Sequence, residues 1–172
     1  RRGTRRRTGA RLGHCHFRNR VPRLVALAAS AEQLHRPIGL RQPEIYGHAT
    51  LKDVETLCRD TAKTHGYEVE FRQSNREGEL VDWIQEAFFK KASGIVINPA
   101  GYTTTSIAML DAILGTRLPV VEIHISNIHQ RDEFRHHSYV SKGAKGVICG
   151  FGVAGYAMAV NGLVELIKNA KD

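Results

Sequence analysis

The chain lacks any apolar run near the ~20 residues a membrane-spanning helix needs, which excludes a helical membrane protein. Cysteine is scarce: Cys15, Cys58 and Cys149 are far apart, which excludes a disulfide framework and a cysteine-based metal cluster. A reducing, cytoplasmic setting is the expectation, with Cys58 and Cys149 as small core residues. Acid is nearly missing from the first forty residues, which hold ten Arg, no Lys and only Glu32. Residues 41–172 lack the opposite surplus, with 15 bases against 16 acids, so the net charge of +8 belongs to the head of the chain. A nucleic-acid-binding face needs basic residues spread over a folded surface, and the body has none to spare.

The head, RRGTRRRTGARLGHCHFRNRVPR, also lacks apolar content and a clear period. Such a stretch buries too little surface to offset its ordering entropy, so disorder is expected. It is Arg-rich and acid-poor like a transit peptide, yet its only serine up to residue 40 is Ser30, it has no amphipathic pattern, and no initiating Met precedes it. Arginine without interleaved aromatics is a weak pattern for a nucleic-acid arm. Residues 1–38 are therefore set apart as an atypical segment, and residues 39–172 as the domain.

What is present alternates. LVALAA (24–29) is a short apolar run that suits a buried strand. Thr50 is placed to cap a helix carrying Leu51, Val54, Leu57, Cys58 and Thr61, with Gly66 at its end. YEVEFRQ (67–73) reads as a strand. Ser74 or Asn75 then caps a helix with Leu80, Trp83, Ile84, Ala87 and Phe88 on one face. GIVINP (94–99) is a strand covered on both faces, and 106–114 a helix ended by Gly115. LPVVEIHIS (118–126) and GVICGF (146–151) are further strands, the second short and buried. Residues 154–168 form a last helix with Ala157, Val160, Leu163, Val164 and Ile167 inward. Strand–helix alternation predicts a parallel sheet with helices on both faces and a ligand beyond the carboxyl ends of the strands.

Three polar clusters fall in such loops. In Arg41-Gln42-Pro43-Glu44-Ile45-Tyr46-Gly47, a guanidinium five residues from a phenol could favour the phenolate and make it a base. By itself the segment also reads as a surface loop with an unrelated Arg and Tyr. Asn98 ends a strand ahead of Tyr102 and Thr103-Thr104-Thr105-Ser106, where it could meet ligand hydroxyls, or where these residues simply cap a helix. In Glu122-Ile123-His124-Ile125-Ser126, period two puts Glu122, His124 and Ser126 on one side, and His124 beside an acid suits a general acid. Arg131 and Arg135, four apart, would share a helical face and grip an anion or hydroxyls; solvated arginines and a satisfied strand-end histidine are the alternative. No metal site is expected, since His136 and His137 are adjacent and do not share a helical face.

Together RQPEIYGHATL, INPAGYTTTS, VVEIHISNIHQRDEFRHHS and GVICGFGVAGYAMAV resemble the type II 3-dehydroquinate dehydratases over about residues 39–168, in order. The resemblance implies a flavodoxin-like α/β fold with a five-stranded parallel sheet, a homo-oligomer that is usually a dodecamer, and no metal, cofactor or Schiff-base lysine. It implies a lyase that reversibly dehydrates 3-dehydroquinate to 3-dehydroshikimate through an enolate. Tyr46, activated by Arg41, would be the base and His124 the acid. Asn98 would bind substrate and also orient His124. The Ile125 and Ser126 N–H groups, with the Ser126 hydroxyl, would hold the carboxylate. Asp111 and Arg135 would meet substrate hydroxyls, and Arg131 would belong to the lid.

Two departures stand out. Thr104 occupies a position where the family usually has His. Upstream, the family's first strand and Asn-Gly-Pro-Asn loop give way to SAEQLHRPIGL, with Leu34 where an asparagine positions a water. The abrupt change suggests a disturbed reading frame, a first strand that is atypical or missing, and LVALAA as the one candidate for its slot. The alternative function is a non-catalytic or impaired homologue that binds ligand or only assembles.

Overall fold

A computed structural model describes residues 21–29 and 49–170. Five strands form one parallel sheet: β1 (Arg23–Ala29), β2 (Glu68–Ser74), β3 (Gly94–Asn98), β4 (Val120–His124) and β5 (Gly146–Cys149), in the order β2-β1-β3-β4-β5. The helices are α1 (Leu51–Thr64), α2 (Glu77–Phe89), α3 (Ile107–Thr116), the short α4 (Val140–Gly143) and α5 (Ala154–Asn169). The α/β, five-stranded parallel architecture expected from the alternation is the one observed.

LVALAA fills the slot of the first strand. It pairs with β2 on one side and β3 on the other, and Leu24 to Ala29 are all buried. Period two divides them between the faces. Leu24 and Ala26 join Val54, Cys58, Tyr156, Val160 and Leu163 under α1 and α5. Val25, Leu27 and Ala29 join Leu80, Ile84, Met109 and Ile113 under α2 and α3. These seven residues lie within the segment 1–38 set apart above, and they belong to the sheet; residues 1–20 and 30–48 lie outside the described residues.

The helix signals act as read, with local differences. Thr50 and Asp53 make a reciprocal capping box on α1, and Gly66 follows with φ +76°. The buried stripe of α1 is Val54, Cys58 and Ala62, one residue past Thr61, whose hydroxyl donates back to the Leu57 carbonyl. Before α2, Ser74 accepts from the Arg76 N–H, and the N-cap position itself is Arg76. Helix α3 is capped by Ser106 and runs through Gly115 to a left-handed Arg117. The inward face of α5 includes Tyr156 and Ala159, while Ala157 is only partly covered. Strand β5 is an edge strand, not a buried one, because it pairs with β4 alone; Val147 is 44% exposed and Cys149 partly so. Burial pushes the Cys58 thiol up to about 12, consistent with an inert core residue.

Candidate active site

The sheet brings two expected residues to adjacent strand ends. Asn98 closes β3 and His124 closes β4, both buried. The register pairs Ile97 with Glu122, so Glu122 and His124 share one face and Asn98 turns to the other.

On the first face stands a buried hydrogen-bonded pair. Glu122 is 0% exposed, and its Oε1 lies 2.7 Å from His124 Nε2. The Thr103 and Ser141 hydroxyls also donate to its carboxylate, and Ser138 Oγ lies 3.5 Å from Oε1. Burial pushes the Glu122 carboxyl up, but the hydrogen bonds from His124, Ser141 and Thr103 outweigh it and hold the group below its ordinary value. A carboxylate with donors on both oxygens is ionised, since a proton there would confront another donor. His124 Nε2 therefore carries its hydrogen toward Glu122, and Nδ1 remains to exchange a proton with a ligand.

On the other face Asn98 is held from two directions. Its Nδ2 donates to Tyr156 Oη at 2.9 Å, and its Oδ1 accepts from the Ala100 N–H at 3.1 Å. That turn places Ala100 at φ 50°, a left-handed conformation disfavoured for a residue with a Cβ. Strand alternation turns Asn98 away from His124, so the hydrogen-bond partner of the His124 ring is Glu122 and not Asn98. Burial drives the Tyr156 phenol well upward against the opposing Asn98 bond, so Tyr156 is a fixed neutral partner and no base.

Ile125 and Ser126 continue past the strand end, and Ser126 Oγ accepts from Arg131 Nη2 at 2.8 Å. The segment beyond is two short 3-10 turns, Ile128–Gln130 and Glu133–Arg135, rather than an α-helix. Arg131 and Arg135 therefore share no helical face: Arg131 reaches Ser126, while Arg135 is exposed with its guanidinium 5.0 Å from the Phe134 ring centroid. The Arg131 carbonyl accepts from His136 Nε2 at 2.7 Å. Asp111 lies on the exposed side of α3. Thr104 donates to the Gly101 carbonyl at 3.0 Å. Arg41 and Tyr46 lie outside the described residues.

Sequence reading missed Tyr156, Ser138 and Ser141 and placed Thr103 only within a general cluster. The one available signal was the Glu122-x-His124 alternation. The hydroxyls come from separate loops, and no spacing announces them. Among the described residues no group of three His, Cys, Asp or Glu side chains is placed to hold a metal ion. An open depression lined by Arg23, Arg59, Tyr67, Glu68 and Lys90 lies at the amino ends of β1 and β2, away from His124. Arg23, Arg59 and Lys90 are engaged there by Glu55, Glu70, Glu86 and the Val69 carbonyl.

Comparison with known proteins gives a consistent family. The family model described as dehydroquinase class II matches residues 34–164. A 3-dehydroquinate dehydratase of Streptomyces avermitilis is 62% identical over 135 residues, which span 78% of this chain and 84% of that protein. A 3-dehydroquinate dehydratase 1 of Bradyrhizobium diazoefficiens is 56% identical over 126 residues, 73% of this chain and 81% of the relative. The crystal structure of the type II dehydroquinase from Butyrivibrio crossotus superposes with a TM-score of 0.76 at 37% identity, covering 83% of this chain and 97% of that one.

Proposed function

This chain belongs to the class II dehydroquinase family, and from that premise we propose that it is a hydro-lyase that reversibly dehydrates 3-dehydroquinate to 3-dehydroshikimate. The reading is carried by the buried His124–Glu122 pair at the carboxyl edge of the sheet, beside Asn98 and Ser126.

The leaving hydroxyl needs a proton, and His124 Nδ1 is the atom oriented to deliver it once Nε2 is engaged by Glu122. The proton to be removed lies alpha to a ketone. Tyr46 is the base in this proposal, with Arg41 stabilising its phenolate. Loss of that proton gives an enolate, which requires nearby polar groups to carry its charge. Ser126 accepts from Arg131, so its own O–H is free to be donated to the substrate carboxylate, alongside the Ile125 and Ser126 N–H groups. Asn98, Asp111 and Arg135 meet substrate hydroxyls, and Arg131 moves with the lid. Neither metal nor cofactor takes part.

Assembly into a homo-oligomer, up to a dodecamer, and a cytoplasmic setting belong to the same reading. Val147, Phe151 and Met158 are large apolar side chains left exposed on or next to the edge strand and on α5, which favours self-association. No helix among the described residues is long and apolar enough to cross a membrane.

The test is direct. Given 3-dehydroquinate, the full chain is expected to produce the ultraviolet absorbance of a conjugated enone, and a folded sample that leaves the substrate unchanged overturns the proposal. Tyr46→Phe is expected to lower turnover at least ~100-fold, the usual loss for a missing base. A variant as fast as the parent removes Tyr46 from that role.

A further inference from the structure

The hydroxyl groups around Glu122 form a directed chain. Glu122 accepts only, so the Thr103 hydroxyl spends its single hydrogen on Oε1. Ser138 Oγ, 2.7 Å from Thr103 Oγ1, must then donate to Thr103. Ser138 in turn accepts from the Ser141 N–H at 2.9 Å, at the start of α4. Ser141 sends its own hydroxyl hydrogen to Oε2. His124 supplies the remaining donor to Oε1. Each hydroxyl has one orientation in this chain: Thr103 and Ser141 donate to the carboxylate, and Ser138 donates to Thr103.

The three hydroxyls come from different places. Thr103 belongs to the 3-10 turn after Asn98, Ser138 to the last residues of the 127–138 segment, and Ser141 to α4. The Tyr139 N–H, donating to the Thr103 carbonyl at 2.7 Å, joins the same two loops through the backbone. The strand end that carries Asn98's turn and the segment that carries Arg131 are thus fastened at Glu122.

We infer that Thr103, Ser138 and Ser141 are positioning residues for the reaction: their hydroxyls hold Glu122 as a carboxylate in one orientation, and through it fix the ring and tautomer of His124. Without them the buried carboxylate would lose donors it cannot replace from water, and it would rotate away or take up the proton that His124 needs. The inference rests on His124 acting as the acid.

The test uses Ser141→Ala and Thr103→Val, alone and combined, in the full chain with 3-dehydroquinate. The combined variant is expected to lose about tenfold or more in kcat with KM within about twofold, since an acid acts in the transition state rather than in substrate binding. Ser141→Thr, which keeps the hydroxyl, is expected to restore most of kcat. In a Glu122→Gln background the same two substitutions are expected to change kcat by less than about twofold, because they act only through that carboxylate. Parental kcat in the combined variant overturns the inference, and so does an undiminished tenfold loss in the Glu122→Gln background. Circular dichroism checks folding, and if the combined variant does not fold, Ser141→Ala alone carries the same cycle. His124→Asn separates the two levels. If that variant turns over like the parent, the reading of His124 fails. If it is inactive while the hydroxyl variants are normal, only this inference fails.

Discussion

Glu122 couples a single side chain to both stability and chemistry. Its carboxyl is held below its ordinary value in the folded protein, so the ionised form favours the fold. That contribution is complete above the unfolded carboxylate range of about 4.3, and it is lost as the pH falls through the lower folded value. Urea unfolding of the parent and Glu122→Gln should therefore show the parent's advantage largest near pH 6 and shrinking toward pH 3. An advantage that grows on acidification would show that the buried carboxylate is not ionised. The same residue marks what could be read from the chain. The spacing Glu122-x-His124 on an apolar strand was legible because period two is a property of the strand alone. The identity of the other donors was not, because Thr103, Ser138 and Ser141 meet only when three segments pack.

Among the elements, α5 and β4 set the height of the site. Gly155 opens the inward face of α5, and a Cβ there would stand 2.6 Å from Ile123 Cδ1, one residue before His124. Gly155→Ala is expected to destabilise the fold by about 1–3 kcal/mol, the usual cost of forcing an atom into a packed core. It should also reduce kcat, because Ile123 and His124 move together; denaturant unfolding and turnover measure the two effects. An unchanged midpoint would mean that Ile123 has room to shift. Element boundaries reveal where local signals lost to packing. Gly115 reads as a helix end, yet α3 continues to Thr116 because Thr116 is buried against the core and its hydroxyl donates to the Ile113 carbonyl. The edge position of β5 was likewise hidden, since GVIC is apolar whether one face is covered or both.

For the molecule as a whole, the decisive element is β1. It lies upstream of the family match, which starts at residue 34, and it still sits between β2 and β3. Deleting residues 1–38 is expected to abolish folding. Strands β2 and β3 would each lose a ladder, and each buried backbone group left unpaired costs about 1–3 kcal/mol against a typical total stability of about 5–15 kcal/mol. Circular dichroism and size-exclusion chromatography would register the loss, and a compact, cooperatively unfolding product would show that the sheet closes without β1. The +8 charge takes a narrower meaning in this light: Arg23, one of the ten head arginines, pairs with Glu70 of β2 at 3.5 Å and belongs to the sheet.

The sequence by itself determined the alternating α/β architecture, the family and the positions of Asn98 and His124 at strand ends. Hydrophobic period, helix caps and motif spacing are local, and they survive in one dimension. Only the tertiary structure decided that LVALAA lies between β2 and β3, that Glu122 rather than Asn98 is hydrogen-bonded to His124, and that Tyr156 holds Asn98. Each of these depends on register and on which face of the sheet a side chain meets, and those are set by packing between segments far apart in the chain.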